Sequence, residues 1–150
     1  MEGVRESLFE SVRRSLRDRD PAAELGRLGP SGRRAVAAEL CADETVLVVL
    51  RGTAGRAVVG TDRRAFVLPP FVPGATPVAV ESWPYLDVLG IELNERAVGG
   101  SVVLRVTDGK SVVGIAGDWD VIRARVATLR GLVAGAHSDA VPAELRLVAL

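Results

Sequence analysis

The residues best suited to polar recognition in this chain are Thr61, Asp62, Arg63 and Arg64, a consecutive run with two guanidinium groups. Guanidinium N–H donors pair with phosphate oxygens, so Arg63 and Arg64, joined by Arg51 and Arg56 if the first two hairpins lie side by side, form a candidate phosphate site. The competing reading is a tight hairpin, in which the Asp62 carboxylate accepts backbone N–H bonds and the arginine stems cover apolar neighbours. Asp62 weakens the positive field of the cluster in either case.

Other groups offer less chemistry. Asp108-Gly109-Lys110-Ser111 contains the GKS of a phosphate-binding loop, but Leu104 stands where that motif needs its first glycine, and a hairpin turn explains the same residues. Asp118 and Asp120 have a spacing seen in metal-binding aspartates, yet a helix start favours acids there. His137, the one histidine, lies among small residues and is expected in an exposed loop, where adjacent Ser138 and Asp139 do not make a triad. Cys41, the one cysteine, is expected to be a small buried thiol at a helix end. No catalytic residue, metal site or cofactor is expected, and the chain reads as a non-enzyme.

The chain has 150 residues, 48% apolar and 25% charged, which is enough to bury a core and excludes disorder throughout. Nineteen basic residues balance nineteen acidic ones, so the uniform positive field of a nucleic-acid binder is absent and no nucleic-acid partner is expected. The longest aliphatic run, Val46 to Leu50, is far shorter than the ~20 residues a membrane-spanning helix needs. The N-terminus lacks the apolar core of a secretory signal. These features lead to an expectation of a cytoplasmic protein, soluble or at most peripheral to an anionic membrane.

The elements that must position these groups follow from hydrophobic period. Val4, Leu8, Val12 and Leu16 recur every four residues and predict an amphipathic helix that stops at Asp20-Pro21. Five arginines and five acids share the first twenty residues, which disfavours a membrane anchor and leaves the apolar stripe to dock on the rest of the chain or on another subunit. After a Gly/Pro-punctuated link, Ser31 is placed to cap a second helix with Val36, Leu40 and Cys41 inward. Seven β-rich runs follow: TVLVVLRG, GRAVVGT, RRAFVLP, TPVAVESW, VLGIELNE, GGSVVLRVT and KSVVGIAG. Alternation predicts Leu89, Ile91 and Leu93 on one face, likewise Val102, Leu104 and Val106, with Glu92 and Arg105 on a wet face. Asp108-Gly109 predicts a two-residue hairpin. From Asp118 a helical stripe of Trp119, Ile122, Val126, Leu129 and Val133 runs to a stop at Gly135, with a tail beyond it.

Two aromatic segments are candidate contact points. Trp83-Pro84-Tyr85 either anchors a partner or plugs one end of the sheet structure. The proline-rich stretch from Pro69 to Pro77 either carries Phe71 and Val72 outward or folds Phe71 back over the mouth.

Taken in order, DETVLVVLRG, the TDRR of Thr61 to Arg64, the FVPGATP connection, WPYLDVLGIELNE and GGSVVLRVTDG resemble the bacterial pleckstrin-homology-like (PH-like) domains over about half the chain. Tyr85, Val88, Gly90, Ile91 and Glu92 match a strand-entry pattern of that family. The resemblance implies a mainly β fold with flanking helices: a PH-like antiparallel barrel of about seven strands, a C-terminal capping helix and an N-terminal helical extension. The expected divisions are 1–41 for the extension, 42–135 for the barrel with its helix, and 136–150 for the tail. It further implies a non-catalytic interaction module that mediates protein contacts or self-assembly. The candidate contact residues are Phe71, Val72, Trp83 and Tyr85, with Val4, Leu8, Val12 and Leu16 of the extension. The alternative is an anionic lipid headgroup or other phosphate held by Arg51, Arg56, Arg63 and Arg64. The first hairpin departs from the headgroup-binding pattern, offering Arg51 and Arg56 but no lysine.

Overall fold

The computed structural model describes residues 21–74 and 79–140. The helix expected over Val4 to Leu16, with its contact residues Val4, Leu8, Val12 and Leu16, and the tail from residue 141 lie outside the described residues. Two short helices come first, α1 (Pro21–Gly26) and α2 (Gly29–Glu39). Residues expected to form a link are thus partly helical: Pro21 opens α1, a position where its missing N–H costs nothing. Ser31 does not cap α2, which starts at Gly29 after Leu28 without a side-chain cap.

Seven strands follow: β1 (Val46–Arg51), β2 (Ala57–Thr61), β3 (Arg64–Leu68), β4 (Glu81–Pro84), β5 (Val88–Glu95), β6 (Gly100–Val106) and β7 (Gly109–Ile115). All sequential pairings within a sheet are antiparallel. The expected barrel does not form. The strands make two open sheets, β1-β2-β3-β4 and β5-β6-β7, with no ladder joining them among the described residues. Closure needs continuous strand-to-strand hydrogen bonding around the ring, and both seams lack it. At one seam β4 ends on Pro84, which has no N–H, and the chain turns through a single helical turn, Tyr85–Asp87. At the other, the β1–β2 turn leans on β7 and Arg56 Nη1 donates to the Val112 carbonyl oxygen at 2.6 Å. This approach requires glycine at position 52, where a Cβ would lie 2.6 Å from Val113 Cγ1 and 2.8 Å from the Gly114 carbonyl oxygen.

The long helix α3 (Trp119–Ala140) packs against β5 and β1. Asp118 caps it, its Oδ1 accepting the Asp120 N–H at 3.0 Å. Ile122, Val126, Leu129 and Val133 are buried, as the helical stripe requires. The helix passes through Gly135 to Ala140, so His137 is helical, not in a loop.

One core lies between the two sheets and α3, built around Leu50, Val67, Leu104, Ile115 and Leu129. A second lies on the outer face of the four-stranded sheet, where Val49, Val59, Phe66 and Leu68 meet Val36 of α2 and Leu25 and Leu28. The four-stranded sheet is therefore covered on both faces, and β2 is buried at every residue. Residues 21–39 dock on the same chain that carries them. The three-stranded sheet keeps one wet face, on which Glu92 and Arg105 pair at 2.6 Å.

Two strand details differ from simple alternation. A register shift between Val88 and Gly90 buries Val88 and Ile91 and turns Leu89 outward, 63% exposed. The β6–β7 turn comprises Thr107 and Asp108, one residue earlier than the Asp-Gly signal suggests, since Val106 pairs with Gly109.

Candidate functional site

The Thr61–Arg64 hairpin is held by its own side chains. Thr61 Oγ1 accepts the N–H groups of Arg63 and Arg64, each at 3.1 Å, and donates to Glu44 Oε2 at 2.6 Å. Glu44 is buried and receives Arg64 Nε and Nη2 at 3.0 Å each and the Cys41 N–H at 3.1 Å. The Arg64 guanidinium, backed by the Thr61 hydroxyl and the Cys41 N–H, holds the Glu44 carboxyl down at a pKa of about 2 against the ordinary 4.5, although burial acts the other way. Arg64 also donates to Ser82 Oγ and to the Glu39 carbonyl oxygen, and its guanidinium lies 5.6 Å from the Phe66 ring centre. Asp62 accepts the Thr45 N–H at 3.0 Å.

The four arginines proposed from sequence do not converge on one site. Arg51 and Arg56 flank the β1–β2 turn, and Arg63 and Arg64 flank the β2–β3 turn at the far end of β2. Each already has an internal partner. Arg51 Nε meets Glu24 Oε2 at 3.0 Å, Arg56 holds Val112, Arg63 Nη2 meets Asp43 Oδ2 at 2.5 Å, and Arg64 holds Glu44. The Arg63 guanidinium draws the Asp43 carboxyl below its usual range.

Glu24 gives no distinctive sequence signal, because its partners lie far along the chain. It is 1% exposed, and its carboxylate takes Arg27 at 2.6 Å, Arg51 at 3.0 Å and Arg125 of α3 at 3.1 Å. One carboxylate thus ties α1 to β1 and to α3. Cys41, expected buried, is exposed.

Among the candidate contact residues, Tyr85 is buried and faces the core, with its hydroxyl on the Thr61 carbonyl oxygen; it presents no surface to a partner. Burial pushes this phenol well above its ordinary pKa of 10. Trp83 is partly buried against the first core, beside Ala65. Phe71 and Val72 stay on the surface, 59% and 56% exposed, on a loop whose Phe71 N–H bonds the Ala54 carbonyl oxygen at 3.0 Å. Ala54 itself has φ 56°, a left-handed conformation that costs a non-glycine residue about 1 kcal/mol.

A groove that sequence reasoning missed runs between β5 and α3. Leu89, Ile91, Val133 and Ala134 form apolar walls around a cavity of about 400 Å³, with Arg130 and His137 at its polar positions. His137 Nε2 lies 3.1 Å from the Tyr85 carbonyl oxygen and 3.0 Å from that of Val88, so it carries the proton and donates. Arg130 Nε donates to the Ile91 carbonyl oxygen at 2.9 Å. The 130/137 spacing, two helical turns, was available in the sequence; the bulge that turns Leu89 toward the groove was not. Leu86, 51% exposed, adds apolar surface in the adjoining helical turn. Among the described residues, no group of three or more His, Cys, Asp or Glu side chains is placed to hold a metal ion, and no helix is long and apolar enough to cross a membrane.

No protein-family model and no curated protein matches the chain. Among solved structures, the chain is similar to a pleckstrin homology domain from Shewanella amazonensis SB2B, at 15% identity and a TM-score of 0.50, over 67% of this chain and 96% of that one. The likeness is one of fold.

Proposed function

We propose that this PH-like fold serves as a non-catalytic module that works through protein contacts, either with another protein or with a second copy of itself, in the cytoplasm. The observation that carries the reading is how the chain spends its polar and apolar groups. Arg51, Arg56, Arg63 and Arg64 are engaged internally, whereas Leu86, Leu89, Phe71 and Val72 are left on the surface. Exposed apolar side chains, Leu89 lining an apolar groove and Phe71 and Val72 on a separate loop, favour protein contact over an anionic headgroup, which requires several free cations. The solved domain of similar fold is consistent with such a module.

Photo-crosslinking residues placed separately at Leu89 and Phe71 in the full chain, expressed in its native cells, test the reading. Protein adducts from at least one position, followed by binding between purified components, are expected. Absence of adducts at both positions, together with salt-sensitive co-sedimentation on phosphatidylglycerol vesicles that Arg63→Ala removes, would transfer the function to anionic surfaces.

A further inference from the structure

We infer that the β5–α3 groove receives a short segment of a partner protein that presents an aliphatic side chain with a carboxylate beside it. The side chain enters among Leu89, Ile91 and Val133, and the carboxylate meets Arg130. This rests on the protein-contact reading and gives it a site and a chemistry.

Three features of the groove lead there. The bulge at Val88/Gly90 buries Val88 and Ile91 and leaves Leu89 between them as an exposed apolar wall, against the strand's own alternation. Gly90, beside it, has nothing within 4 Å of the place a Cβ would occupy, so the strand backbone is open to close approach. The cavity of about 400 Å³ falls in the lower part of the range for ligand clefts, roughly 300–1,000 Å³, which suits one or two side chains.

The charge of the occupant follows from Arg130. Arg27, Arg51, Arg63, Arg64, Arg105, Arg123 and Arg125 each have a carboxylate partner within the described residues. Arg130 has none there, and neither do Arg33, Arg34, Arg56 and Arg96, but of these Arg130 is the one that lines the groove; its Nε is held by the Ile91 carbonyl oxygen, which fixes the guanidinium at the groove and leaves its outer N–H groups for a partner. A single fixed cation beside apolar walls complements a single carboxylate next to an aliphatic group. Main-chain strand addition is not the mode offered, because the Val88 and Ile91 carbonyl oxygens of β5 are already taken by His137 and Arg130. Recognition runs through side chains.

The test is amide chemical-shift mapping on the full chain with three blocked dipeptides: N-acetyl-Leu-Asp-amide, N-acetyl-Leu-Asn-amide and N-acetyl-Ala-Asp-amide, each to about 20 mM, the weak range expected of so small a probe. The Leu-Asp probe is expected to shift Leu89, Gly90, Ile91 and Val133, with the other two binding at least about tenfold more weakly. In Arg130→Gln, the Leu-Asp and Leu-Asn probes should become equal, and Leu89→Ser should weaken both while the remaining spectrum keeps its native dispersion. Equal binding of Leu-Asp and Leu-Asn to the native chain, or no shifts in the groove, overturns the inference. Loss of the groove signal with crosslinks from Phe71 retained would overturn this site and leave the protein-contact reading standing.

Discussion

The Tyr85 hydroxyl donates to the Thr61 carbonyl oxygen at 2.5 Å, so the turn that separates the two sheets is tied to the end of β2 in the first of them. Thr61 on its side-chain oxygen organises the hairpin and Glu44, and on its backbone oxygen receives Tyr85. Thr61, at the head of the Thr61–Arg64 hairpin, and Tyr85, just before β5, thus meet at one buried hydrogen bond. The bond ties the turn leading into the second sheet to β2 of the first, where no ladder among the described residues connects the two.

Tyr85→Phe should therefore destabilise the fold by about 1–2 kcal/mol in chemical denaturation, since it strands a buried carbonyl oxygen without altering ring packing. Burial raises the folded-state pKa above the ordinary 10, so the stabilisation is complete below pH 10 and declines as pH rises past it. As this is the chain's one tyrosine, phenolate absorbance reports it directly: ionisation should coincide with alkaline unfolding, and titration near pH 10 in a folded chain would contradict the burial.

Glu44 gives the complementary acid dependence. Its folded pKa of about 2 lies below the ordinary 4.5, so its contribution is complete above pH 4.5 and is lost as pH falls from there toward 2. The shift corresponds to at most about 3 kcal/mol. Glu44→Gln should lower stability at pH 7 by a comparable amount and flatten the profile between pH 5 and 2; a variant with the wild-type acid profile would assign acid loss elsewhere.

Arg63 and Arg64 are adjacent in sequence and should behave oppositely. Arg63 pairs with Asp43 on the surface, with both side chains substantially exposed, and Arg63→Ala should change stability by less than about 0.5 kcal/mol. Arg64→Ala leaves buried Glu44 without its cation and should cost about 3 kcal/mol or more. Thermal melts of the two variants distinguish a structural hairpin from a ligand site, which would leave both folds intact.

The sequence disclosed those parts of the fold that depend on local order. The aliphatic runs and the Asp118 cap mark strands and a helix start because period and capping are short-range properties. It did not disclose sheet closure, which depends on whether distant edges meet, nor the outward turn of Leu89, which one inserted residue decides. The continuous apolar stretches VLVV and AFVL lie in strands covered on both faces, by the inter-sheet core on one side and by α1 and α2 on the other, a cover that the strand pattern alone did not reveal. The candidate groove stayed hidden because its walls come from β5 and α3, some forty residues apart, and the Arg130–Ile91 and His137–Val88 contacts that join them leave no local mark in the sequence.

Glu24 decides how firmly that cover is held. Its carboxylate is almost fully buried, whereas Arg27 and Arg51 are about half exposed and Arg125 is largely covered. In Glu24→Gln the first two cations can turn to water, but Arg125 keeps little access to it, so the cost should be about 2–3 kcal/mol, below that of breaking a wholly buried pair. The loss should be local. α1 holds the sheet through this carboxylate and through Leu25, while the inter-sheet core does not include either residue. Amide exchange should accordingly rise first in α1 and α2, with apolar dye binding as Phe66 and Leu68 become accessible, before β6 and β7 lose protection. Uniform acceleration across all strands would show instead that the helices and both sheets unfold as one unit.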